Sequence, residues 1–177
     1  MTEDLGVARA VDAQSFGEPG QRTFRLRVLG ADGGTASLWL EKEHLQALVI
    51  ALRQLLAELK FESKAPAAPL EGFPEVADHD FRAGRVGLGF HEADRTVIIQ
   101  LDEAGDESEE FRLRLCLTLD QCAQLSHQLA EIIARGRPAC PLCGAPMDED
   151  GHACVRANGH LKQPIPDESS GDEDDSG

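Results

Sequence analysis

At Lys42 the spacing of apolar residues changes from alternation to a helical period, and the same change recurs at Thr118. No other feature restricts the fold as strongly, because a strand pattern cannot be worn by a helix, nor a helix pattern by a strand. Thr23 to Leu29 places Phe24, Leu26 and Val28 on one face and Arg25 and Arg27 on the other. After the turn Asp32-Gly33-Gly34, Ala36 to Glu41 returns with Leu38 and Leu40 opposite Trp39. From Lys42 onward, Leu45, Leu48, Val49, Leu52, Leu55, Leu56 and Leu59 recur at helical spacing, which predicts an amphipathic helix ending near Lys60 with a core-facing leucine stripe.

The second half repeats this order. Val86, Leu88 and Phe90 alternate, Glu92 to Arg95 turns the chain, and Thr96 to Leu101 forms the next strand. Asp102 to Glu110 reads as an acidic hairpin loop, after which Phe111-Arg112-Leu113-Arg114 reproduces Phe24-Arg25-Leu26-Arg27. Thr118 and Gln121 have the spacing of a capping box, Cys122, Leu125, Leu129, Ile132 and Ile133 make a second buried stripe, and Gly136 and Pro138 stop the helix. Leu5 to Val11 supplies a weakly patterned first strand, and Pro19-Gly20 a type II turn whose bland role is a hairpin connection. Its other role is a functional loop presenting Glu18, Gln21 and Arg22 beside Pro19 and Gly20.

These readings predict an α+β protein. Residues 1–62 and 81–137 form two tandem strand-strand-strand-helix halves, an internal pseudo-repeat, joined by a Pro/Ala-rich linker over 63–80. The halves are expected to pair their sheets or pack their helices about a pseudo-two-fold axis. A small zinc knuckle over 138–161 and a disordered acidic tail over 162–177 complete the chain.

The metal expectation rests on Cys140-Pro141-Leu142-Cys143-Gly144, followed by Gly151-His152-Ala153-Cys154 and by His160. A Cys-x-x-Cys turn aims both thiolates at one ion, and zinc takes four such ligands in a tetrahedron. Cys140 and Cys143 supply the first pair. His152 and Cys154, one residue apart, supply the second from the same side of an extended segment, and His160 is the reserve ligand. The competing readings are a redox dithiol, which ordinarily opens a helix after a strand, and plain loop cysteines. Four protein ligands leave no coordination position for water, so the expected role of one zinc ion is structural.

A formal charge of −15 disfavours polyanionic partners, and discounting Asp167, Glu168, Asp172, Glu173, Asp174 and Asp175 still leaves −9. Nucleic acid and membrane surfaces are therefore not expected partners. Neither an export signal nor a long apolar segment is evident, and five cysteines, three of them clustered, suit a reducing compartment, so a cytoplasmic location is expected.

Gly17-Glu18-Pro19-Gly20-Gln21-Arg22-Thr23-Phe24, Leu40-Glu41-Lys42-Glu43, and the Cys140-Pro141-Leu142-Cys143-Gly144 cluster with Gly151-His152 and Cys154 carry a resemblance. The chain resembles an actinobacterial family of uncharacterised proteins, a domain of unknown function, whose members join a Gly-Glu-Pro-Gly-Gln-Arg stretch to a terminal Cys-Pro-Leu-Cys-Gly cluster. The resemblance covers all but the acidic tail and implies the architecture without an activity.

No nucleophile elbow, zinc-protease helix or phosphate loop is present. Gly84, Gly87 and Gly89 read as strand interior. Asp78-His79-Asp80 reads as solvated loop before metal site, and His91 and His127 as surface residues. Cys116 lacks a sequence neighbour to activate it. The expected function is a non-catalytic, zinc-binding interaction or adaptor module for a protein partner. The alternative is an enzyme of unrecognised type, a zinc hydrolase or a phosphate-handling enzyme, using a patch where Arg22, Arg25 and Arg27 meet Arg112 and Arg114. The bland reading of those arginines is the solvated face of a sheet.

Overall fold

The structure is a computed structural model and describes residues 1–18 and 20–135. Among the described residues the elements are β1 (Glu3–Val7), β2 (Ala10–Phe16), β3 (Thr23–Leu29), β4 (Thr35–Leu40), α1 (Lys42–Glu58), β5 (His79–His91), β6 (Thr96–Glu103), β7 (Leu113–Thr118) and α2 (Leu119–Arg135). The class is α+β, with one mixed seven-stranded sheet in the order β1-β7-β6-β5-β4-β3-β2. β2-β3-β4 and β5-β6-β7 are antiparallel meanders, whereas β4 runs parallel to β5 and β1 parallel to β7.

The strand order forces the sheet to curl. β1 and β2 lie at its two ends, yet only Ala8 and Arg9 separate them in the chain. Six strand spacings of about 4.8 Å would place those ends roughly 29 Å apart in a flat sheet. Three steps of chain span at most about 11 Å. The sheet therefore bends back on itself, and the backbone shows the hand-over: Ala8 N–H donates to Cys116 O on β7, and Arg9 N–H donates to Leu29 O on β3. Ala31 N–H, in the β3–β4 turn, donates to Leu5 O, so β1 also abuts that turn.

One face of the curled sheet is apolar and buried. Leu26 stands opposite Leu38, Leu38 opposite Phe81, and Ile99 opposite Leu115. These residues share a single core with Leu45, Leu48 and Leu52 of α1 and Leu125, Leu129 and Ile132 of α2, so both leucine stripes are core as expected. Each such side chain contributes about 1.5–3 kcal/mol by leaving water. The expected capping box of α2 is formed: Gln121 N–H donates to Thr118 Oγ1 at 3.2 Å and Thr118 N–H to Gln121 Oε1 at 2.9 Å. Gln121 also donates from Nε2 to Ala8 O, and Gln128 Oε1 accepts from Ala13 N–H, which lays α2 along β2 and covers that sheet edge.

Several expectations change. The single strand over Leu5 to Val11 is two strands hinged at Ala8 and Arg9, with a positive φ at Gly6 and an irregular register between Asp4 and Val7. β5 begins at His79, inside the stretch read as linker. The rest of that stretch is tied down at both ends: Ser63 Oγ donates to Asp120 Oδ1, Gln124 Nε2 donates to Ala65 O, and Asp78 Oδ2 accepts from Thr35 N–H and Oγ1. The junction between the two meanders joins the last strand of one to the first of the next, β4 to β5, in parallel. Gly136, Pro138, the knuckle and the acidic tail lie outside the described residues.

Candidate functional site on the outer sheet face

The sheet face turned away from the helices is polar, and its most organised part surrounds Arg25 in the middle strand of the first meander. Alternation puts Arg25 between Gln14 of β2 and Trp39 of β4. Gln14 Oε1 accepts from Arg25 Nε at 3.1 Å and from Nη2 at 2.5 Å. The guanidinium carbon then lies 5.2 Å from the Phe16 ring centre and 5.5 Å from that of Trp39, and the two rings are 5.9 Å apart. A cation close to the face of an aromatic ring gains about 0.5–1 kcal/mol per contact at an exposed site. Trp39 is fixed in turn by donation from Nε1 to Asp80 Oδ1 at 2.9 Å, and Arg82, opposite Trp39, ion-pairs with Glu41. Phe16 remains 41% exposed, so the stack presents a large apolar surface to solvent.

The β2–β3 turn stands beside this stack. Gln21 N–H donates to Glu18 O at 3.0 Å and Gly20 has φ +90°, the sign a type II turn requires at its third residue; Pro19 lies outside the described residues. At Gly17 a side chain is excluded, because φ is +96° and a Cβ would fall 2.7 Å from Gln21 O. The hairpin role of this turn is thus present. Arg22 Nη1 donates to Ser15 Oγ at 3.2 Å, while its Nε is buried without a partner among the described residues.

The structure does not bring the five arginines to one point. Arg27 makes a bidentate pair with Asp12, at 2.8 and 2.5 Å, and lies over Phe73. The hydrogen bond to Asp12 raises the Arg27 pKa against the opposing effect of burial, so this cation is not available for proton transfer. Arg114 pairs with Asp4 at 2.7 Å. Arg112 pairs with Glu103 and lies over Phe81, on the core side of the sheet, whereas Arg25 and Arg27 are on the outer face. No two of the five share a hydrogen-bond partner among the described residues. The four-residue match behind the expected patch also joins unlike strands: β3 is central in its meander and β7 is last in its own.

Asp78 and Asp80 are occupied in holding β4 and Trp39, and donation from Thr35 backbone and hydroxyl holds the Asp78 carboxyl below the usual range. His91 and His127 are exposed beside Asp94 and Glu131. Cys116 and Cys122 are buried free thiols; burial pushes the Cys116 pKa up and that of Cys122 up to about 12, which keeps both protonated. Cys140, Cys143, His152, Cys154 and His160 lie outside the described residues, and among the described residues no group of three side chains is placed to hold a metal ion.

Sequence reasoning missed one ionic centre. Asp102, only 2% exposed, accepts from Arg85 N–H at 2.5 Å and from the Arg85 guanidinium. Arg85 reaches on to Ser108 O and Glu109 O at 3.1 and 3.3 Å and lies over Phe111, clamping the β6–β7 loop. Gly84 makes room for this, since a Cβ there would lie 2.7 Å from Asp102 Oδ1. The glycine was the available signal. Burial pushes the Asp102 pKa up, but the hydrogen bonds and charge of Arg85 outweigh it and hold the carboxyl below its usual range.

The fold and this site define an α+β protein whose curled sheet wraps two helices and displays an aromatic-guanidinium stack on its outer face. A family model described as "Protein of unknown function (DUF3090)" matches residues 6–154, and the chain belongs to that family. Among curated proteins and among solved structures, nothing matches. No helix among the described residues is long and apolar enough to cross a membrane.

Proposed function

We propose that this chain is a zinc-stabilised interaction module: the Phe16–Arg25–Trp39 stack, with the Glu18–Gln21 turn beside it, binds a protein partner, and the C-terminal cysteine cluster holds one structural zinc. The observation that carries the reading is the stack itself. Trp and Arg are enriched where binding energy concentrates, and here Gln14 and Asp80 hold both in place before any partner arrives, which lowers the entropy lost on binding. The zinc assignment is supported by ligand type and spacing, and by a family match that runs through Cys154 and so includes Cys140, Cys143, His152 and Cys154 but leaves out His160. Two buried, unpaired cysteines in the body suit a cytoplasmic protein. The repeated order β-β-β-α, laid side by side with β4 parallel to β5, supports an internal duplication.

The test is affinity capture from the native cells with wild type, Trp39→Ala and Cys140→Ser, alongside elemental analysis of protein purified without chelator. The reading expects one zinc per chain, a partner retained by wild type, and loss of that partner in Trp39→Ala with the fold intact. Equal recovery by wild type and Trp39→Ala would remove the stack from the function, and far less than one zinc would remove the metal.

A further inference from the structure

The arginines inside the strands are Arg25 and Arg27 of β3, Arg82 and Arg85 of β5, and Arg114 of β7. All but one are matched by a carboxylate: Arg27 by Asp12, Arg82 by Glu41, Arg85 by Asp102 and Arg114 by Asp4. Arg25 alone has no carboxylate partner among the described residues. The next rung of the ladder shows what it lacks. Arg27 turns Nε and Nη2 toward the two oxygens of Asp12, whereas Arg25 turns the same two nitrogens toward one neutral oxygen, Gln14 Oε1. Gln14 stands opposite Arg25 on β2 as Asp12 stands opposite Arg27. The amide fixes the guanidinium in place and leaves its charge uncompensated.

The donors that remain define the ligand. With Nε and Nη2 held by Gln14, Arg25 keeps the N–H groups of Nη1 and the second N–H of Nη2, the end-on pair that can meet a carboxylate through two parallel hydrogen bonds. The Phe16 and Trp39 rings, centred 5.2 and 5.5 Å from the guanidinium carbon, supply apolar surface beside it. Carboxylates on the neighbouring rungs are engaged elsewhere: Asp12 with Arg27, Glu41 with Arg82, and Asp80 with the indole N–H of Trp39. In a chain of net charge −15, one isolated cation attracts a single carboxylate at close range, while a polyanion meets the repulsion of the whole surface. On the reading of the stack as a protein-binding surface, we propose that Arg25 recognises an acidic segment of the partner. One Asp or Glu carboxylate pairs end-on with the guanidinium, and an apolar neighbour of that residue lies on Phe16 and Trp39.

Random peptides displayed on phage, selected against the immobilised full chain, are the probe. Trp39 is the only tryptophan of the chain, so its fluorescence reports binding of each selected peptide at this site. The selected peptides are expected to share an Asp or Glu beside an apolar residue. Replacing that acid by its amide is expected to weaken binding at least about tenfold, the loss of a charge-assisted hydrogen bond. Gln14→Glu keeps the shape of the side chain and supplies a carboxylate from within, so it is expected to weaken acidic peptides by a similar factor with an unchanged circular dichroism spectrum. Arg25→Lys keeps the charge without the fork and is expected to bind them less tightly than wild type. Peptides selected without an acidic residue, or acidic peptides that bind Gln14→Glu as tightly as wild type, overturn the proposal and leave the stack as a contact surface. Tighter binding when phosphoserine replaces the acid overturns it in favour of a phosphorylated partner. Failure to select any peptide overturns it as well, and the stack itself then stands or falls with the Trp39→Ala capture.

Discussion

Asp102 shows how one carboxylate can fix the geometry of a whole loop. Its pairing with Arg85 requires a glycine at position 84, a strand irregularity that turns the Arg85 N–H inward, and a guanidinium long enough to reach the Ser108 and Glu109 carbonyls. An unfolded aspartate titrates near 3.9, roughly, and the folded carboxyl titrates lower, so its stabilisation is complete above that value and is lost as pH falls through the folded one. Asp102→Asn is therefore expected to lower stability at neutral pH by about 1–3 kcal/mol, with the gap to wild type shrinking below about pH 4. Urea denaturation at several pH values measures this, and a pH-independent gap would contradict it. Gly84→Ala is expected to destabilise comparably, since the added methyl meets the same carboxylate oxygen. Gly84 was the one signal in the sequence: Asp102 itself opens an acidic run that reads as solvated loop, and nothing in a run of like charges marks the one member that is buried.

Among the elements, legibility followed periodicity. β3, β4, β6, β7 and both helices were readable because each keeps one phase against the core. β5 was half missed because its phase changes: Phe81 and Ala83 are buried, then the irregularity at Gly84 and Arg85 shifts inward-facing positions to Val86, Leu88 and Phe90. A strict alternation cannot be followed across such a step. β1 and β2 were merged because the hinge at Ala8 and Arg9 carries no proline or glycine to announce it. The helix ends allow two measurements. Thr118→Ala removes the capping bond to Gln121 N–H and is expected to cost about 1 kcal/mol in thermal or chemical unfolding. Lys60 ends α1 with φ +51°, its N–H donating to Ala57 O and that of Phe61 to Leu56 O, the pattern that favours glycine. Lys60→Gly is expected to leave stability unchanged or raise it by up to about 1 kcal/mol, and a clear loss would show that the Lys60 side chain contributes packing there.

For the molecule as a whole, the core of the described residues runs from Leu5 to Ile132. Cys143→Ala is accordingly expected to preserve the cooperative unfolding of the body while making the chain beyond Pro138 sensitive to protease; loss of the entire transition would tie the cluster to the core. Composition and pattern revealed the class and most elements, but not the closure of the sheet, because pairing between β1 and β7 is a long-range fact with no local signature. That closure has a consequence during synthesis. β1 leaves the ribosome before β7 and waits for it, so a nascent chain stopped short of Thr118 holds an unclosed sheet with its leucines open to chaperones and proteases. Fusing a bulky tag directly to Met1 should slow maturation more than the same tag at the far terminus.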